Sequence, residues 1–228
     1  DTPGMGQYAS HIHHELIPVV EQNFAVKPGA KHRAVLGKSS GGFAAMRFAM
    51  DFPGYWGAVA NHSGDAGFDL LYQRDFPAVA DVLAQFDYDI EKFITRFGKA
   101  KKIMGSHILA MMHLCMAATY DEKNIDDITL PFDLQTCELD QTRWQRWLAH
   151  DPVNRVEQSA DALKQLNGLF MDCGFRDQYF IHYGMRRLAQ KLEKAEIEHT
   201  YTEFNGSHSG IDYRLDESLT FLYEKIND

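Results

Sequence analysis

The chain has 228 residues, enough for one large domain or two small ones. Its 45% hydrophobic and 24% charged residues exclude a disordered chain, a collagen-like fibre and a coiled coil. A net charge of -9, from 23 Lys and Arg against 32 Asp and Glu, argues against nucleic acid and against an anionic membrane as partners, because both are bound by neutralising phosphate.

The first periodic segment covers residues 8–24, with Tyr8, Ile12, Leu16, Val19, Val20 and Phe24 at helical spacing. Pro18 stands inside it and is expected to kink or reshape the helix. His11, His13 and His14 crowd its start. No second His follows His14-Glu15 at zincin spacing, so these histidines read as a solvated helix face and no metal is expected. The short apolar run Ala34-Val35-Leu36, ending in Gly37, reads as a buried strand. A helix with Phe43, Met46, Phe48 and Met50 follows Gly41-Gly42. Residues 56–60 read as a second buried strand, closed by Asn61-His62-Ser63-Gly64.

Residues 66–149 differ in character. Aromatic and Met-rich amphipathic stretches cover 76–86, 90–97 and 108–116, and a last helix covers 141–148. This region is expected to form a helical lid insertion, with 1–65 and 150–228 as the main body. Met104, Met111, Met112 and Met116 read as core, against lining an adaptable acyl or aromatic pocket, and the acidic run Asp121-Glu122 and Asp126-Asp127 reads as a solvated loop. Trp144 and Trp147 stand between lining a substrate cleft and packing the lid. Beyond it come a strand at 166–172, a helix at 180–192, a strand at 199–204 and a final helix with Leu215, Leu219, Leu222 and Ile226 on one face. Strands alternating with helices indicate the α/β class, a mostly parallel sheet with helices on both faces. Cys115, Cys137 and Cys173 show neither CxxC nor metal spacing. So sparse a set suits a reducing, cytoplasmic compartment.

The strongest chemical signal is Gly37-Lys38-Ser39-Ser40-Gly41, a G-x-S-x-G pentapeptide between a strand and a helix. With 17 Gly and 9 Ser in the chain, chance supplies roughly 0.05 such pentapeptides. A serine on a sharp strand-to-helix turn needs small neighbours, and the following helix N-terminus faces developing negative charge. A serine hydroxyl also needs a base and a group to orient that base. His208, in the small-residue loop after the strand at 199–204, is the candidate base. Asp172, ending a strand, and Asp177, in the turn beyond it, are the candidate acids, with Asp177 preferred because it stands past the strand. His62, at a strand end, is a candidate for substrate contact, against a reading as a packed or capping histidine.

The segments ELIPVVEQNF, AVLGKSSGGFAAMRFAMDFPGYWGAVANHSGD, LFMDCGFRDQY and EFNGSHSGIDYRLDESLTFLY resemble the putative esterase group of the α/β-hydrolase superfamily. That group includes esterase D (S-formylglutathione hydrolase), feruloyl esterases and enterochelin esterases. The resemblance covers residues 8–65 and 150–228. It implies an α/β-hydrolase fold, Ser39 as nucleophile, Asp177 as acid, His208 as base and the backbone N–H of Ser40 as an oxyanion donor. It implies a small-molecule ester substrate and no cofactor. In this fold several strands and a helix precede the helix placed at 8–24, and a second oxyanion donor comes from among them. The expectation is therefore that the chain is the C-terminal part of a longer protein, or that a second copy or a partner covers the open sheet edge. Two other readings stand beside a serine esterase: a non-catalytic hydrolase-fold binding module, and an acyltransferase using the same triad.

Overall fold

A computed structural model describes residues 1–4, 6–121 and 128–227 of the chain. Glu122, Asp126 and Asp127 of the expected acidic loop lie outside the described residues.

Pro18 has no N–H and its ring displaces the carbonyl a turn earlier, so a regular α-helix cannot run through it. A π-helical turn covers His11–Leu16, and α1 (Ile17–Asn23) resumes with the proline in its first turn. The main body then runs β1 (Ala34–Lys38), α2 (Ser40–Asp51) and β2 (Ala58–His62). Among the described residues the longer helices that follow are α3 (Phe76–Ala84), α4 (Ile90–Gly98), α5 (Gly105–Tyr120) and α6 (Gln141–Leu148). The chain closes with β3 (Gly168–Gly174), α7 (Ile181–Lys194), β4 (Thr200–Phe204) and α8 (Leu215–Asn227).

The strands pair in parallel in the order β1-β2-β3-β4, with Ala58 opposite both Ala34 and Gly168. β2 and β3 are buried along their whole length, as the central strands of a covered parallel sheet must be. Both begin two residues later than the apolar runs suggest. Gly57, just before β2, is pressed against the backbone of Ala30 and Lys31, and the Phe221 and Lys225 side chains close over Gly168, the first residue of β3. Alternate side chains face opposite helices. Ala58, Ala60 and Phe170 pack on Leu222 of α8. Asn61 points the other way, to Met185 of α7 and to the start of α2. Among the described residues no strand pairs with the outer edge of β1, where Leu36 is exposed.

The chain divides into two compact units, residues 11–71 with 151–228, and residues 1–10 with 72–150. This grouping places 66–71 with the sheet, and 1–10 and His150 with the helices. Within the helical unit, Phe76 stacks on Phe132 and meets Trp144 and Trp147 edge-on. Trp147 is 0% exposed, so it packs this unit's core and offers no surface to a substrate, correcting that expectation. Asp121 is likewise no solvated residue. It is buried and ion-paired to Arg143 and Arg146. Met116 is buried, whereas Met104 and Met112 are exposed, so the methionines do not form one core cluster. Asp89 and Asp140 cap α4 and α6, accepting from the N–H groups of Lys92 and Arg143. Among the described residues no helix is long and apolar enough to cross a membrane.

α7 approaches the loop after β2 so closely that a Cβ on Gly184 would lie 2.0 Å from the Ala66 carbonyl oxygen. Gly184→Ala is therefore expected to destabilise the protein by roughly 1–3 kcal/mol through overpacking against backbone. Urea unfolding measures this, and an unchanged midpoint would contradict the contact.

Candidate active site

The turn between β1 and α2 holds Ser39 at φ 58° and ψ -129°, a conformation that L side chains rarely adopt. Three contacts impose it. The Ser39 N–H donates to the His62 carbonyl at 2.9 Å, and its own carbonyl accepts from the Phe43 N–H at 3.0 Å. A Cβ on Gly37 would lie 2.2 Å from the Gly41 carbonyl carbon. The second tight position is Gly42 rather than Gly41: its Cβ would lie 2.4 Å from Asn61 Oδ1, while nothing stands within 4 Å of one on Gly41. The doubled glycine at 41 and 42 is the sequence signal for this.

The turn lifts the Ser39 hydroxyl to 2.8 Å from His208 Nε2, and His208 Nδ1 lies 2.8 Å from Asp177 Oδ2. A carboxylate can only accept, so Nδ1 carries the proton and Nε2 is left to accept from the serine. Asp177 is 2% exposed. Its other oxygen accepts from the Tyr179 N–H at 2.8 Å, and the Cys173 Sγ lies 3.8 Å from Oδ2. Two further residues that no motif marks hold His208, one at its backbone N–H and one at its ring. Gln178 Oε1 accepts from the His208 N–H at 3.1 Å, and the Tyr179 ring meets the imidazole edge-on with centroids 4.9 Å apart. Both directly follow Asp177 in sequence, which is the signal that points to them. Ser40 heads α2, whose first-turn N–H groups have no intrahelical acceptor and sit at the positive end of the helix dipole.

Asp172 and His62 are occupied elsewhere. Asp172 is 0% exposed, with Oδ1 at 2.7 Å from His62 Nδ1 and Oδ2 at 2.8 Å from Arg214 Nε. His62 is 2% exposed and its Nε2 lies 2.7 Å from Ser218 Oγ. With both ring nitrogens bonded and the ring buried, His62 is no substrate contact, and that expectation is corrected. His13 departs from the solvated-face reading too. It is buried, stacked on Phe52 at 3.8 Å, and accepts from Trp56 Nε1 at 2.9 Å. His11 and His14 stay exposed beside Glu15 and Tyr55. Among the described residues no group of three or more His, Cys, Asp or Glu is placed to hold a metal ion.

A parallel α/β sheet with helices on both faces, and a serine in a strained turn from strand to helix, is the α/β-hydrolase fold. Solved structures agree. The chain superposes on a ferulic acid esterase with a TM-score of 0.55 at 16% identity, over 96% of this chain and 61% of that one. It superposes on an S-formylglutathione hydrolase from Agrobacterium tumefaciens with a TM-score of 0.55 at 16% identity, over 97% of this chain and 58% of that one. The chain thus spans about three fifths of each neighbour's length. It belongs to the "Putative esterase" family, whose profile matches residues 1–216 and includes the region at 66–149. A named relative, Esterase Rv1288 of Mycobacterium tuberculosis, is 37% identical over 65 residues, which is 28% of this chain and 13% of that protein.

Burial above all, with the nearby Asp177 and Asp172 carboxylates, pushes the Cys173 thiol well above the ordinary cysteine range. Cys173 is expected to stay unmodified by iodoacetamide in the folded protein at pH 8 and to react on unfolding. Peptide mass mapping reads this, and native labelling as fast as that of an exposed thiol would contradict the packing around Asp177.

Proposed function

We propose that this chain cleaves carboxylic esters of small molecules through an acyl-enzyme. The observation that carries the reading is the pair of 2.8 Å hydrogen bonds joining Ser39, His208 and Asp177. Membership of an esterase family supports it. In this reading Ser39 Oγ attacks the ester carbonyl while His208 Nε2 takes the hydroxyl proton. Asp177 holds the imidazole and stabilises the imidazolium. The Ser40 N–H, at the start of α2, donates to the oxyanion. The carbonyl re-forms, the alcohol leaves with the proton from His208, and the acyl group stays on Ser39. Water then attacks the acyl-enzyme, giving its proton to His208, and the acid departs as the Ser39 hydroxyl is restored. Each step uses only these groups, the ester and water. The free thiols of Cys115, Cys137 and Cys173 support a reducing, cytoplasmic site of action.

Ser39→Ala is expected to lower kcat on p-nitrophenyl acetate by roughly four to six orders of magnitude. The same substitution leaves the melting temperature nearly unchanged, because the strained backbone stays. Ser39→Gly removes the hydroxyl and relaxes the positive φ, and is expected to be more stable than Ser39→Ala by about 1 kcal/mol. Retained hydrolysis in Ser39→Ala would overturn the nucleophile assignment. Hydrolysis-free binding of ester analogues by the unsubstituted protein would favour the binding module, and acyl capture by an added alcohol in preference to water would favour the acyltransferase.

A further inference from the structure

His208 rides on residues 205–214, which join the end of β4 to the start of α8. The first part of this loop is tied to the turn that carries Asp177. The Arg176 N–H donates to the Gly206 carbonyl at 3.0 Å, and the His208 N–H to Gln178 Oε1 at 3.1 Å. The far end is tied differently, through Arg214. Its guanidinium carbon lies 5.0 Å from the ring centroid of Phe204, the residue that opens the loop. Its Nε–H donates to Asp172 Oδ2 at 2.8 Å.

Asp172 is a rigid anchor. It is 0% exposed, and its second oxygen accepts from His62 Nδ1 at 2.7 Å. That bond places the proton on Nδ1, so His62 Nε2 accepts from the Ser218 hydroxyl of α8 at 2.7 Å. The end of the loop is thereby joined through Asp172 to β3, through His62 to β2 and through Ser218 to α8. Asp172 also stands on the strand that leads directly into the Asp177 turn.

We propose that Arg214 is a positioning residue for His208. It staples both ends of the 205–214 loop to the buried Asp172–His62–Ser218 chain and so holds the imidazole within hydrogen-bond reach of Ser39. The inference rests on reading Ser39 and His208 as nucleophile and base. A small misplacement of a reacting group is enough to cost about 100-fold in rate, which is why a residue that touches no substrate matters here.

Removing Arg214 alone leaves a fully buried carboxylate without its counter-charge, which threatens folding. The test therefore uses the pair Arg214→Met with Asp172→Asn, and separately Arg214→Lys, in the full chain with folding checked by circular dichroism. Two readouts are taken. One is the downfield proton resonance of the His208 Nδ1–H, assigned by its loss in His208→Gln. The other is kcat and KM on p-nitrophenyl acetate. The double variant is expected to shift or broaden the His208 resonance and to lower kcat about 10- to 100-fold with KM within about twofold, and Arg214→Lys is expected to recover part of the loss. An unmoved resonance with wild-type kcat in the folded double variant overturns the inference, as does a change confined to KM. Should the double variant not fold, Arg214→Lys decides, and wild-type values for both readouts overturn the inference. If the unsubstituted protein cleaves no ester yet the resonance still moves, the positioning role stands and the reading of Ser39 falls.

Discussion

A serine held at positive φ costs of order 1–3 kcal/mol, and such a residue persists only where its surroundings leave it no alternative. The end of β2 provides those surroundings for Ser39. The His62 carbonyl takes the Ser39 N–H, and the Asn61 side chain fills the space beside Gly42 while accepting from the Gly64 N–H. Gly37 and Gly41 lie backbone against backbone across the turn. The direction of the hydroxyl, the start of α2 beneath it and the reach of His208 all follow from that constraint.

The same residue types meet twice at the C-terminal ends of the strands. Asp177–His208–Ser39 and Asp172–His62–Ser218 have nearly identical distances, 2.8 Å and 2.8 Å against 2.7 Å and 2.7 Å. Distance does not separate them; exposure and backbone do. Ser218 is 0% exposed within α8, so no ester can reach its hydroxyl, and Arg214 neutralises Asp172. Ser39 stands half-buried on a strained turn, and its partner Asp177 has no arginine at its carboxylate among the described contacts. One array binds the last helix to the sheet and the other holds the hydroxyl of a half-buried serine on a strained turn. Chemistry is a property of the site and not of the triad of names.

Much of this is legible in the chain itself. Short apolar runs locate β1, β2 and β3, the last two buried along their whole length, whereas β4 alternates and is partly exposed; the pentapeptide around Ser39 has few other uses. Asp177 is favoured over Asp172 by its place past the strand end, and the structure joins Asp177 to His208. What stays hidden depends on residues far apart in sequence. His62 is buried because Ser218 and Asp172 meet it there, and Trp147 is buried because Tyr72 and Phe76 close around it. His13 looks like one of three exposed histidines until Phe48, Phe52 and Trp56 fold over it. Local periodicity contains none of these partners.

The central claim is that Ser39, and not Ser218, carries an activated hydroxyl. Fluorophosphonate labelling of the folded chain, with the modified peptide located by mass spectrometry, tests it most directly. The account predicts phosphonylation at Ser39, suppressed in His208→Gln and insensitive to Ser218→Ala. Labelling at Ser218, or no labelling of the folded protein at all, would contradict it.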